Sequence, residues 1–351
     1  MKRKILIFTP GGVGGAERMS VLIGKLLPKD HFDVKFVVIG RLRTIYNILP
    51  NDYPIDCIPV HNRYSFSTLR IWWKIILEKP DIVFTSQIAY NPRVIIAARL
   101  AGKKVVVRST GMIGTYKPSV FRGVKLTYPL ANLIIAQQED MRNEIIHLLK
   151  IPSNKVETIH NPLDYENIDK LSKADSPFPK DDNLYFVQVA SVNHRKAQDV
   201  AIKAFSIVNR SIAKSQLYLV GPCDKKSAYF HELITQISEL HLDGKVHFVG
   251  YDKNPFRWVK NADCFIFPSR NEGLPNALVE ASYLGTPCAA TRCLNIVDEI
   301  IKDGKNGFVI NVDDIGGLAQ AMMKAVALKK CEMIYAPSSY HDFVKVFNSI
   351  C

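Results

Sequence analysis

The sequence lacks any apolar run of the ~18–20 residues that a helix needs to cross a bilayer. Its first apolar stretch, Ile5–Phe8, is too short for a secretory signal and reads instead as a first buried strand. Cysteine is sparse and scattered. The seven residues (57, 223, 264, 288, 293, 331 and 351) form no CxxC pair and lie near no histidine cluster. That pattern argues against a disulfide framework or a zinc site and for a reducing cytosol. No Gly-Lys-Ser/Thr follows the glycine turn near the N-terminus, which excludes a P-loop, and that turn also fails the dinucleotide fingerprint, because the sixth position from Gly12 is Glu17. Carboxylates are missing over a long interval. Between Asp81 and Glu139 there is none, while Arg93, Arg99, Lys103, Lys104, Arg108, Lys117, Arg122 and Lys125 all fall there.

What is present is a strongly alternating chain of 351 residues, long enough for two ordinary domains. Apolar, β-branched runs at 4–10, 33–40, 81–86, 103–109 and 132–137 read as buried parallel strands separated by helical spacing, and 156–164 supplies a further strand and then a break. A polar stretch with two prolines, LSKADSPFPKDDN (171–183), reads as linker. The alternation then restarts at 184–192, 216–222, 245–251 and 263–269. Two consecutive β/α series predict an α/β protein of two doubly wound, Rossmann-like domains facing each other across a cleft. The expected bounds are 1–165, a linker over 166–183, 184–335, and a C-terminal helix over 336–351 packing back on the first domain.

The charge is as uneven as the carboxylates. Residues 1–162 hold 24 Lys/Arg against 11 Asp/Glu, whereas 163–351 hold 22 of each, so the whole excess of +13 lies in the first half. That half is expected to face something anionic: phosphates, a membrane surface or nucleic acid. Within it, RYSFSTLRIWWKIILEK (63–79) interleaves Trp72 and Trp73 with Arg70 and Lys74. It reads either as a segment lying in a membrane interface or as a helix whose tryptophans pack in the core.

Two motifs carry chemistry. After the first strand, TPGGVGGAERMS places Gly11, Gly12, Gly14 and Gly15 at a helix start, where exposed N–H groups receive phosphate or where the chain simply turns tightly. In the second half, the strand DCFIF runs into PSRNEGLPNALVEASYLGTP. Glu272 falls in the loop at the C-terminal end of a parallel strand, the edge where open α/β sheets bind ligands. Glu280 falls inside a small, apolar helix, where a carboxylate is expensive to bury unless it accepts hydrogen bonds. Pro275 suits the first helical turn, and Gly285 with Pro287 closes the helix. Main-chain N–H groups around Gly273, Leu274 and Asn276 are placed to meet a phosphate.

Glu272-Gly-Leu-Pro-Asn276 through Glu280 resembles the E-x7-E motif of retaining glycosyltransferase family 4, of GT-B fold and of the polysaccharide or glycoconjugate-assembly type. TPGGVGGAE, HNPLD (160–164), VASVNHRKAQDVAIKAF, LYLVGP and VHFVGY extend the resemblance over nearly the whole chain. It implies that Glu280 binds the ribose of a sugar nucleotide and Glu272 the donor sugar, with Lys196 and Arg195 neutralising the departing diphosphate. Gly14 and Gly15 would approach the donor, and Gly250 and Tyr251 would border the base. Two departures stand out. Ala190-Ser191 occupies the place where family members often carry arginine. Arg108, Ser109 and Thr110 stand where many carry a histidine; His160 and His194 are the nearest histidines by motif, each more readily structural. Arg108, Ser109 and Thr110 are therefore the acceptor-side candidates.

The implied activity is retaining transfer from a nucleoside diphosphate sugar, UDP-linked by preference, with no cofactor. The chain has no Asp-x-Asp pair, so the expectation is a metal-independent hexosyl- or N-acetylhexosaminyltransferase in which fixed donors stabilise the leaving group. The basic first half suggests a glycan or lipid-diphosphate-linked acceptor and peripheral docking at the cytoplasmic face of a bacterial inner membrane, without nucleic acid. The rivals are a sugar-nucleotide epimerase or hydrolase of the same fold, a basic nucleic-acid-binding protein, and a binding module without activity.

Overall fold

The computed structural model describes residues 2–12, 14–40, 45, 48–50, 52–59 and 67–350. The first four residues of the aromatic segment 63–79 lie outside this set. The chain divides into two compact units, residues 1–163 with 337–351, and residues 164–336.

In the first unit the runs of Ile, Val and Phe form seven parallel strands among the described residues. These are β1 (Arg3–Pro10), β2 (Phe32–Ile39), β3 (Ile55–Ile58), β4 (Ile82–Thr85), β5 (Lys104–Arg108), β6 (Leu133–Ala136) and β7 (Val156–Thr158), in the order β3-β2-β1-β4-β5-β6-β7. Both faces are buried, which is why these strands read as unbroken apolar runs. β3 is the one strand of this sheet that the reading above lacks; its four residues are bracketed by Pro54 and Pro59, which mask the pattern. The helix Tyr340–Ser349, with a capping box from Ser339 and Asp342, buries Phe343, Val346 and Phe347 in this unit's core. Phe347 meets Phe32 and Phe84 edge-on, with centroids 6.2 and 5.7 Å apart.

The second unit has six parallel strands: β8 (Leu184–Val189), β9 (Ser215–Val220), β10 (Val246–Gly250), β11 (Cys264–Phe267), β12 (Cys288–Thr291) and β13 (Gly307–Ile310), ordered β10-β9-β8-β11-β12-β13. Residues expected as linker are part of this unit. The helix Tyr165–Ser172 opens it, and Phe178 is buried, stacked on Tyr185 at 4.2 Å and edge-on to Tyr218 and Trp258. One aromatic side chain thus anchors a stretch whose composition is otherwise polar.

Strand order reverses between β1 and β4 in the first sheet and between β8 and β11 in the second. At such a point the loops after the two central strands diverge and leave a crevice at the carboxyl edge. The glycine turn follows β1. The loop 190–197 follows β8, and the loop 268–275 follows β11.

Candidate active site

The two loops at the second switch point meet. Glu272, in the loop after β11, is only 7% exposed, and its carboxylate is surrounded by donors. Arg195 Nη1 donates to Oε2 at 2.8 Å, Ser269 Oγ donates to Oε1 at 2.8 Å, and Lys196 Nζ also donates to Oε1. Glu272 and the adjacent cations Arg195 and Lys196, the nearer of them 76 positions away in the chain, therefore share one contact. A buried carboxylate needs such partners, because an isolated one would lose its hydration without replacement. Lys196 is 17% exposed and Arg195 52%, so one face of each cation stays open to an anion.

The turn that carries both cations is itself pinned. His194–Lys196 form a single 3-10 turn that ends at Ala197 in the left-handed region, φ 52°. Gln188 Nε2 donates to Lys196 O at 2.7 Å. Arg270, two residues before Glu272, donates from Nη1 to His194 O at 2.7 Å, and its main-chain N–H donates to Arg195 O at 2.9 Å. The same guanidinium grips Asp199 through Nη1 and Nη2 at 3.0 and 2.7 Å and reaches Asp313 Oδ1 from Nε at 2.8 Å. Tyr229 Oη completes the set on Asp199 Oδ1 at 2.7 Å. Burial pushes the Asp199 carboxyl up, but Arg270 and Tyr229 outweigh it, and the net shift is downward. Chiefly through its bonds to Asp199, Arg270 is held still more firmly in its charged form. Nothing in the one-dimensional pattern marked Arg270, Asp199 and Asp313; the one available clue was an arginine in the same loop as Glu272.

Backbone geometry closes the floor. Gly221, at the end of β9, has φ +147°, and a Cβ there would lie 2.1 Å from Ala190 O, so only glycine lets the two strand ends approach. Ser191 Oγ accepts from Asn193 Nδ2 at 2.9 Å, and Gln198 Nε2 donates to Ser191 O at 3.1 Å. Ser191 thus shapes the loop and supplies no charge in place of the arginine that the resemblance led one to expect. Gly250 and Tyr251 lie at the end of β10 on this carboxyl edge, Gly250 with φ +80° and Tyr251 57% exposed.

The helix after the loop runs Asn276–Tyr283, with Pro275 at the position before it, one residue earlier than expected. Asn276 donates its main-chain N–H to Leu274 O at 2.9 Å, and Leu274 is buried, so this N–H is not presented to a phosphate. Gly273 is half-buried between them. Of the two glutamates, Glu272 in the loop is buried and Glu280 in the helix is half-buried. Donors converge on the loop carboxylate, whereas Glu280 sits one helical turn from the start with a face open.

Cys293 lies in the field of Glu272, Lys196 and Arg195. Burial first, and then the Glu272 charge, push its thiol up to about 12, which keeps it protonated at neutral pH and unsuited as a nucleophile.

In the first unit, Gly14 is the N-cap of the helix Gly15–Leu26, and a Cβ on it would lie 2.7 Å from Glu17 Oε2. Glu17 folds back toward the turn and accepts from Gln87 Nε2 at 2.8 Å. The acceptor-side candidates need correction. Arg108 and Ser109 are fully buried and only Thr110 is partly open, because Arg108 ends β5 with its side chain directed into the protein. Arg108 Nη2 donates to Asn161 Oδ1, while Nε and Nη1 find no acceptor among the described residues. His160 Nδ1 lies 2.8 Å from Gln137 O, and the His194 ring packs edge-on to Tyr229 at 5.9 Å, so both histidines are engaged structurally.

Comparison with known proteins adds to this geometry. Residues 13–167 match the model of the glycosyltransferase family 4 domain, and residues 169–340 that of glycosyl transferases group 1. The chain is 28% identical over 248 residues to the uncharacterized glycosyltransferase MJ1059 of Methanocaldococcus jannaschii, covering 65% of this chain and 60% of that one. It is 25% identical over 212 residues to an N-acetylgalactosamine-N,N'-diacetylbacillosaminyl-diphospho-undecaprenol 4-alpha-N-acetylgalactosaminyltransferase of Campylobacter jejuni, covering 60% of this chain and 55% of that one. The matched part thus spans little more than half the length of either relative. The crystal structure of Anabaena Alr3699/HepE in complex with UDP-glucose superposes with a TM-score of 0.81, at 17% identity, over 99% of each chain. With two parallel-sheet units, the E-x7-E loop at the second switch point, and two adjoining domain matches that run through nearly its whole length, the chain belongs to the GT-B glycosyltransferases that pair a family 4 domain with a group 1 domain.

Proposed function

We propose that the chain transfers a sugar from a nucleoside diphosphate sugar, UDP-linked by preference, to a lipid-diphosphate-linked glycan, with retention of anomeric configuration and without a metal or other cofactor. The observation that carries this reading is the cluster of Glu272, Lys196 and Arg195 at the switch point of the second sheet. The Campylobacter relative's diphospho-undecaprenol acceptor supports the acceptor class, and the UDP-glucose held by the Anabaena structure supports the donor.

In this mechanism the Lys196 ammonium and Arg195 guanidinium turn from Glu272 to the diphosphate oxygens as the bond to the anomeric carbon breaks. The turn that carries them is fixed in advance by the Arg270 tie, so only side chains reorient as charge develops on the leaving group. Glu272, relieved of two cations, accepts hydrogen bonds from donor-sugar hydroxyls, and Glu280 accepts from the ribose. The leaving phosphate takes the acceptor's proton on the same face, which retains configuration without a covalent enzyme intermediate. A hexosyl or N-acetylhexosaminyl group fits this scheme equally, and the work is done at the cytoplasmic face of the membrane that holds the acceptor.

The test is thermal denaturation with UDP, GDP and their sugars, because a ligand that binds only the folded state raises the midpoint. A rise with UDP-sugars is expected, followed by transfer to a diphosphate-lipid glycan and an axial or equatorial anomeric signal matching the donor's. If no nucleotide raises the midpoint, the reading fails. If donor alone is consumed as fast as donor with acceptor, the protein is a hydrolase or epimerase.

A further inference from the structure

Seven of the fourteen large apolar side chains that the described residues expose lie between residues 69 and 130. Six of them come from three helices whose inner faces enter one core, and Leu130 from the 3-10 turn that follows the third. The helix Ser67–Glu78 buries Ile71 and Ile75, Asn91–Leu100 buries Val94, Ile95, Ala97 and Ala98, and Pro118–Thr127 buries Val124. The first packs on the second and the second on the third. Their outer faces therefore form one surface on the same side of the first sheet.

On that surface Leu69, Trp73 and Leu77 follow each other at helical spacing, 55–59% exposed. Ile96 and Leu100 repeat the spacing on the second helix, the latter 68% exposed, and Leu126 on the third is 69% exposed. Arg70, Arg99, Lys104, Arg122 and Lys125 are exposed among them. The two tryptophans divide the work that the sequence left undecided: Trp72 packs against the core, and Trp73 stands outward. The nearest carboxylates are occupied elsewhere. Glu78 and Asp56 are tied to Lys4, Lys35 and Lys74 at the flank.

A monomeric protein rarely leaves so much apolar surface open without a partner. Isolated leucines would be ordinary, but three helices exposing them together, rimmed by cations and with no acidic residue from 82 to 138, fit one chemistry in particular. We infer that this three-helix face is the surface by which the protein docks on an anionic lipid bilayer. Trp73 and the leucines enter the boundary between headgroups and acyl chains, and the arginines and lysines meet lipid phosphates. No described helix is long and apolar enough to cross a membrane, so this attachment is to one leaflet. The inference rests on the lipid-linked acceptor proposed above but concerns a surface made by the first unit alone.

The test is flotation with vesicles of phosphatidylcholine containing about one third phosphatidylglycerol, compared with pure phosphatidylcholine. The full chain should float with the anionic vesicles at low salt and be released at high salt. Trp73→Ser with Leu77→Ser should lower the bound fraction about tenfold, and so should Arg122→Glu with Lys125→Glu. Lipids brominated near the headgroup should quench the tryptophan emission, and Trp73→Phe should abolish most of that quenching. All these side chains are exposed, so the variants keep the wild-type midpoint and the same UDP-induced rise, which separates a failure of docking from a failure of the donor site. Equal flotation of wild type and both double variants overturns the proposal. So does a wild-type dimer in solution that the apolar double variant splits without any vesicle binding by the wild type; the face would then join two copies of the chain.

Discussion

The carboxyl edges of the two sheets handle buried charge in opposite ways. In the second unit the ions that meet at the switch point have counter-ions: Glu272 holds Lys196 and Arg195, and Asp199 holds Arg270. In the first unit the switch-point neighbourhood buries Arg108 completely, and among the described residues the amide of Asn161 is what receives it. The lesson is about preorganisation. A paired cluster can exchange an internal anion for a ligand anion at small cost, which is what the proposed binding and release of a diphosphate requires. A cation enclosed by neutral groups cannot be reached, and it weighs on stability instead of serving a ligand.

The largest expected effect breaks the paired cluster. Glu272→Ala removes the group that orients both cations and that the proposed mechanism sets against the donor sugar, and kcat should fall about 10³-fold, the scale seen when a fixed transition-state stabiliser is lost. Single-turnover transfer measures this. A variant with near-normal turnover would show that the cluster is merely structural. Arg270→Ala should come next, acting through position alone. Lys196 and Arg195 remain but their turn is untied, so kcat should drop about 10–10²-fold, with the KM for donor moved less and with Arg270→Lys recovering only part. In a double-mutant cycle Asp199→Asn should add little to Arg270→Ala, because both cut the same tie.

These two predictions differ in how they could have been reached. Glu272, Lys196 and Arg195 were legible because a motif names them, although 76 residues separate Lys196 from Glu272. Arg270, Asp199 and Asp313 were not, because an ion pair between loops is a property of strand order and register, which no local spacing encodes. The strands were legible for the reason that parallel sheets are buried on both faces, so β4 and β6 lie in apolar runs; β3, interrupted by Asp56, only partly buried and set between prolines, fell below that signal. Burial itself was read least well. Glu280 sits among apolar neighbours in sequence yet is half-buried, while Glu272, in a loop beside Gly273, is the enclosed one. Arg108 shows the same failure, since a basic residue at a strand end reads as a ligand contact until its side chain is seen turned inward.

A smaller effect sharpens the contrast inside the first unit, where Glu78 is paired as fully as Glu272. Burial pushes its carboxyl up, but hydrogen bonds from Lys35, Lys4 and Lys74 together bring it down to about 2. Its folded-state value is thus below the ordinary 4.5, so its contribution is present above pH 4.5 and disappears as the pH falls toward 2. Chemical denaturation across that window should show wild type losing ~1–3 kcal/mol more than Glu78→Gln. Equal acid sensitivity of the two proteins would mean that the lysines gain nothing from the carboxylate.

The smallest effect has the opposite sign and tests the comparison most directly. Burial alone pulls the Arg108 guanidinium down to about 9, so at neutral pH it is still charged, and the charge costs the folded state. Above about 9, up to the ordinary guanidinium range, the unfolded chain would hold the proton more tightly than the folded one, which makes stability rise with pH through that range. Arg108→Met removes the charge and fills similar space. It forfeits the bond to Asn161, about 1 kcal/mol, but relieves a desolvation penalty that is larger. The thermal midpoint at neutral pH should therefore rise by ~2–4 °C, and the extra stability of the variant should shrink as the pH is raised toward the guanidinium range. A fall of the midpoint would place Arg108 with the paired ions of the second unit, and the distinction between the two edges would have to be given up.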